Sequence, residues 1–387
     1  MLRNTFRLPG FSVTASYLRL LFVGACMSAA ITTSQAQTRA YVASNCTGSV
    51  FVVDTGTNTI VDNIPVGISP EIPAVTPDGT RVYVSNTGSN TVSVIDTTTN
   101  TVISTIGVGL NPFGLAITPD GARVYVVNLG SSTIAVIDTT TNTVVASIPD
   151  PLGPFQVAIS PDGTRAYVTN GAFISNTFGT TVSVIDTATN NVIAVIPVGF
   201  VPTGIAFTPD GARAYVANRN GGPVWVIDTA TNTVIATIPD VSASNGIAIT
   251  SDGAKAYVSS QFNITVSVID TATNAAVATI PLAGTHNPVF LALTPDDTRL
   301  YVSNAADPIT IGTLDVIDTA TNTVVATIAT PDFCPQGIAI APLIPRNKDD
   351  CKEGGYQQFH SLRFRNQGQC IKYVNTTMKP VPRSAPH

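Results

Sequence analysis

Apolar and polar residues alternate at period two through most of this chain, in short runs. One stretch reads "GLAIT", "RVYVVN", "TIAVID" and "TVVASI" in turn, and near-copies follow it. Such alternation predicts half-buried strands, not helices. Turn chemistry separates the runs. Pro-Asp-Gly makes a tight turn whose glycine supplies positive φ. Asp-Thr-x-Thr-Asn places short side chains where they can bond local backbone groups.

The runs recur in fixed order. Tyr-Val-x-Asn or its serine variant starts at Tyr41, Tyr83, Tyr125, Tyr167, Tyr215, Tyr257 and Tyr301. The steps between these tyrosines are 42, 42, 42, 48, 42 and 44 residues. The long step holds an insertion, Gly171 to Gly179. The aspartate of the third phrase is Asp54, Asp96, Asp138, Asp186, Asp228, Asp270 and Asp318. Four strands per unit of about 42 residues, seven times over, predict an all-β fold: a seven-bladed β-propeller.

The ends predict how the ring shuts. The first unit begins at a second strand, Ala40 to Asn45, and its first strand is missing. An orphan first strand, Gln336 to Pro342, follows the last unit. Pairing the two completes the seventh blade and removes open sheet edges. The same register puts Cys46 and Cys334 in loops on one face and predicts a disulfide between them. It would close a loop of about 290 residues, for which chain entropy gives at most roughly 5 to 6 kcal/mol. Cys351 and Cys370 are then left as the second pair.

These phrases resemble the YVTN family of bacterial seven-bladed propellers. The likeness runs from about Ala40 to Pro342, on seven "YV[ASTV]N/S", seven "[VI]DT" and six "[TS][PS]D[GD]" phrases. It implies the fold. It does not fix a function, because propellers host many.

Composition adds a domain plan. Charged residues are 11% of the 387, and the Thr, Val and Ile richness suits strands. Residues 1–36 read as an export signal: Arg3, Arg7 and Arg19, an apolar core from Leu20 to Ile31, then Ser34-Gln35-Ala36. A buried strand or helix is one alternative; lipid attachment at Cys26, in a lipobox-like setting, is another. No later segment is long enough and apolar enough to cross a bilayer. An exported protein is expected, periplasmic, cell-surface or extracellular, and a monomer. Residues 37–345 form the propeller, with eight basic and 21 acidic residues, a net of −13. That balance weighs against a nucleic-acid groove. Residues 346–387 form a short basic module. It resembles a cysteine-paired module at the end of many secreted bacterial proteins, with Tyr356 where an aromatic is usual. Docking to a partner or the cell envelope and simple packing on the ring are both open readings of it.

Residues present in every blade are blade-building. Function is expected where blades differ, in the loops before each first strand and after each Tyr-Val-x-Asn. Both loop sets open on one face around the channel. The candidates are Glu71, Phe113, Phe155, Arg219, Asn245, His286, Asn287 and Phe290, with Thr203, Asn220, Trp225, Phe262, Asp307, Phe173 and Phe178 nearby. Aromatic and amide groups converging on a funnel suit binding of a protein, a glycan, a cell-envelope component or a small ligand. Catalysis is the lesser reading, and no cofactor is expected. His286 is the ring's single histidine, which excludes a multi-histidine metal site there. Propeller lactonases hold a metal with a Glu plus Asn and Asp, and Glu71, Asn245 and Asn287 could imitate them. A structural role in a surface layer or matrix is the third reading.

Overall fold

A computed structural model describes residues 38–174, 177–219, 222–239, 241, 244–282, 286–306, 311–332 and 334–342, with Lys352, Gln367, Ile371 and Lys372 beyond the ring. The expected signal segment, the Cys351–Cys370 pair, Asn220 and Asp307 lie outside the described residues. Nothing is described of the side chains of Phe173, Phe178 and Asn245.

Seven four-stranded antiparallel sheets form the ring. In blade 2 the strands are Pro70–Val75, Arg81–Asn86, Thr91–Asp96 and Thr101–Gly107, from the channel outward. Blades 3 to 7 repeat this order. Blade 1 joins the two ends of the array: Pro335–Ala341 pairs with Arg39–Ser44, setting Arg39 opposite Ala341. The second and third strands are buried almost throughout, because neighbouring blades cover both their faces. Each interface fills with the tyrosine of one blade and the Val, Ile and Leu of the next. The fourth strand forms the outer rim. Its third residue is β-branched and about half exposed, as at Val145 (50%) and Ile193 (48%).

The repeated tyrosine and the turn asparagine belong to one device. Asn58, Asn100, Asn142, Asn190, Asn232, Asn274 and Asn322 all take φ between 52° and 57°, which asparagine tolerates better than most residues. Each then accepts a hydrogen bond from a tyrosine of the preceding blade. Tyr83 Oη donates to Asn142 Oδ1 at 2.8 Å, Tyr125 to Asn190 at 2.9 Å, and Tyr301 to Asn58 across the seam at 2.6 Å. Tyr41, Tyr167, Tyr215 and Tyr257 do the same to Asn100, Asn232, Asn274 and Asn322. A bond of this kind contributes about 1 kcal/mol net.

The turn aspartates are structural, as their repetition suggested. Asp186 accepts from the backbone N–H and hydroxyl of Thr189, which hold its carboxyl below the usual range. Four of the seven strand-start cations show two roles. Arg165 and Arg299 pair locally with Asp186 and Asp318 at 2.6 and 2.5 Å. Arg81 and Arg213 instead reach the next blade, donating to the carbonyls of Thr139 and Thr271 at 2.7 Å.

The seam is bonded as the register required. Cys46 and Cys334 form a disulfide, with Cα atoms 5.7 Å apart. Asn45 N–H donates to the Cys334 carbonyl at 3.2 Å. Buried Asp332 accepts from Ser44 and Thr47 hydroxyls and from Cys334 N–H. Such a disulfide points to a non-cytoplasmic environment. Among the described residues, no helix is long and apolar enough to cross a membrane.

Candidate functional site

The first strands converge on the axis, and one equivalent position in each repeat sets the width of the channel. Around the ring these are Ile72, Gly114, Gln156, Gly204, Gly246, Phe290 and Gly337. Small residues dominate because the strands nearly touch. A Cβ on Gly337 would stand 2.7 Å from the Glu71 carbonyl, and one on Gly114 would stand 2.1 Å from Gln156 Oε1. Gly114 N–H also donates to the Phe155 carbonyl of the next blade at 3.3 Å. A cavity of about 120 Å³ remains, lined by Ile72, Gln156, Gly204, Ile205, Gly246, Ile247, Phe290, Leu291, Gly337 and Ile338. Its side chains are apolar apart from Gln156, while polar groups, backbone included, supply about half of the lining surface. The space is well under the ~300–1,000 Å³ of sites that enclose a drug-sized ligand.

Three sequence candidates meet at the mouth. The Phe113 and Phe155 rings lie 4.5 Å apart and tilted by 34°; Phe113 and Phe290 are 6.5 Å apart. All three are only half-buried. The other candidates are scattered. Arg219 donates to Gln261 Oε1 at 3.1 Å, bridging blades 5 and 6. Trp225 stands where other blades carry Ser93, Ser183 or Ser267, its indole nitrogen 3.1 Å from the Asn218 side chain. Phe262 projects from a loop tip and is 67% exposed. Asn287 is exposed, and Thr203 is buried, donating to the Ala217 carbonyl. His286 is half-buried and its Nδ1 has no hydrogen-bond partner among the described residues.

Glu71 takes a different place from the one a channel metal ligand would need. It is 8% exposed, and its Oε1 accepts from Asn45 Nδ2 of blade 1. Among the described residues it does not line the cavity, and no group of three His, Cys, Asp or Glu side chains could hold a metal. Burial pushes its carboxyl up to about 7, against a smaller lowering by the Asn45 bond. The folded protein therefore favours the protonated form more than the unfolded chain does. Stability from this residue is fully present below about pH 4.3 and falls as pH rises toward 7. The loss is on the order of 3 kcal/mol by pH 8. Glu71→Gln, which keeps the acceptor for Asn45, is expected to be more stable than the parent at pH 8 and to show no gain at pH 4. Urea melts at the two pH values test this; equal differences at both would overturn it.

Sequence reasoning passed over three more buried carboxylates near this face. Asp150 (1% exposed) replaces the Val66 or Val108 of other blades, and Asp315 (0%) replaces their serine. Burial pushes both carboxyls up. Asp315 accepts from Asn304 and Thr327, and Asp150 Oδ1 from Leu152 N–H. Asp332 at the seam is the third. Their signal was present: Asp150 and Asp315 each break the repeat at an otherwise apolar or hydroxyl position.

Ring, mouth and repeat define a seven-bladed β-propeller. It is one of the YVTN type, and residues 78–172 match the family of YNCE-like beta-propellers. No curated protein matches the chain. Among solved structures, the chain is similar to hydrazine synthase from Kuenenia stuttgartiensis. That match has 26% identity and a TM-score of 0.63, over 75% of this chain and 92% of that one. It is also similar to a functionally unknown protein from Desulfotomaculum acetoxidans, at 21% identity and TM-score 0.66, over 79% and 99%. A third likeness is to the dihydro-heme d1 dehydrogenase NirN in complex with DHE, at 17% and 0.58, over 78% and 74%. The last two carry the fold alone.

Proposed function

We propose that this propeller is a non-catalytic binding module of an exported or envelope-associated protein. It holds a protein, glycan or small ligand at its upper mouth. The observation that supports this best is the Phe113, Phe155 and Phe290 cluster, which gathers where the repeat breaks. Half-buried aromatic rings beside a small cavity of mixed polar and apolar lining supply the anchor that binding sites use. The small cavity fits a protruding group of a larger partner: a side chain, one sugar ring or the end of an apolar ligand. Glu71 supports the hydrolase alternative poorly, since it is tied to a neighbouring blade. A metal-assisted reaction would need a second arrangement of that side chain.

The test is affinity capture with the chain from Gln37 onward, comparing the parent with Phe113→Ala/Phe155→Ala and with a form ending at Pro342. A partner held by the parent and the shortened form, and lost by the phenylalanine variant, fits the mouth. Capture that depends only on the tail, or survives loss of both rings, would refute it.

A further inference from the structure

The upper face carries an apolar crown that neither the mouth nor the core uses. In each of blades 2 to 7, one loop tip exposes a large apolar side chain. They are Ile68 (66%), Leu110 (55%), Leu152 (42%), Phe200 (52%), Phe262 (67%) and Ile311 (58%). Blade 1 has the disulfide loop in that place. The tips are held by backbone, not by chance: Gly88 N–H donates to the Ile68 carbonyl at 3.0 Å, and Gly130 N–H to that of Leu110 at 2.9 Å. Large apolar groups exposed in one zone mark interaction surfaces.

Charge is sorted to match. The turn aspartates of Pro-Asp-Gly and Asp-Thr-x-Thr-Asn sit at the opposite end of the blades, on the lower face. Among the described residues the upper face has Glu71, Asp150, Asp315 and Asp332, and all four are under 9% exposed; Asp240 and Asp307, in its loops by sequence, lie outside the described residues. Among the described residues, then, the crown displays no exposed carboxylate. Arg219 is the one basic residue of the ring on this side; the other seven start second strands at the lower end.

We propose that the crown docks the ring on a lipid bilayer surface, with the six tips entering the headgroup boundary and the acidic face turned to water. The tips stand apart, with Gly, Ser and Asn between them. A protein interface needs a continuous packed centre, whereas a fluid lipid boundary closes around separate apolar groups. Lipid surfaces are commonly anionic. They would repel the lower face and meet no exposed carboxylate among the described residues of the upper one.

Vesicle co-sedimentation tests this with the chain from Gln37 onward, whose ring is complete. Vesicles are phosphatidylcholine alone, or phosphatidylcholine mixed with phosphatidylglycerol, at low and raised salt. The parent is expected to bind both and to keep binding at raised salt, because apolar insertion is not screened as charge contacts are. Phe200→Ser/Phe262→Ser should weaken binding roughly tenfold per residue. Val145→Ser/Ile193→Ser on the outer rim should not. Neither change touches the mouth cluster, so this test and the capture experiment fail separately. Absence of vesicle binding by the parent, or equal binding by the Phe200/Phe262 variant, overturns the proposal. So does binding that vanishes at raised salt, which would assign it to the basic tail. A dimer seen by sedimentation velocity, dispersed by Phe200→Ser/Phe262→Ser in a protein that ignores vesicles, would make a second copy the occupant.

Discussion

Replacing Cys46 with serine lowers the unfolding free energy by about 2–5 kcal/mol, and reducing the parent protein does the same. The disulfide spans 288 residues of sequence, so its loss frees nearly the whole ring in the unfolded state. The chain-entropy limit is larger, but native bridges commonly deliver less. The ring still closes without it. Pro335–Ala341 keeps its pairing with Arg39–Ser44, and Ile338 and Ile340 keep their packing against the cluster holding Tyr301, Leu314 and Val316. Asp332 still holds Ser44 and Thr47. Cys46→Ser is therefore folded at room temperature but unfolds at lower urea. Hydrogen exchange should quicken first in residues 335–341. An unchanged urea midpoint on reduction would show that the seam is held by hydrogen bonds and packing alone.

Gly114→Ala is expected to cost 3 kcal/mol or about that, at the upper end of the usual range for overpacking. The added methyl would meet Gln156 Cα and the Phe155 carbonyl at 2.7 Å as well as Gln156 Oε1 at 2.1 Å. Rotating the glutamine relieves only the last contact. The backbones of blades 3 and 4 must part, which also spreads the Phe113–Phe155 pair. Ligand capture at the mouth should fall with stability. Gly107→Ala is the control, since a Cβ there meets nothing within 4 Å. Matching melts for the two variants would mean that the inner strands can slide apart cheaply.

The fold was legible because every level of the sequence repeats in phase. Strand alternation, turn residues and the orphan strand at Gln336 jointly require a closed ring, and that register also brings Cys46 to Cys334. The site was less legible, for physical reasons. Phe113, Phe155 and Phe290 were recognised as departures from the repeat, but their meeting depends on the Gly114 approach between two blades. Glu71 was placed by its position in the chain, whereas its direction is set by Asn45, a residue some three hundred positions from the strand that completes its blade. Ile68, Leu110 and Leu152 are ordinary aliphatics in sequence. Only the ring shows that they lie outside the core. The asparagine of each Thr-Asn turn was read as a local residue. Its recurring spacing from the tyrosine of the blade before it, 59 residues or 65 where a longer loop intervenes, was the unused sign of their bond.

That bond runs one way around the circle. Each blade gives a tyrosine hydroxyl forward and offers an asparagine back, so no blade completes its own polar contacts. An altered turn is thus felt in the blade before it. A spectroscopic probe in blade 2 should report a change at Asn142, while a probe on the far side of blade 3 stays quiet. The circle has a direction of influence, although its outline is close to symmetric.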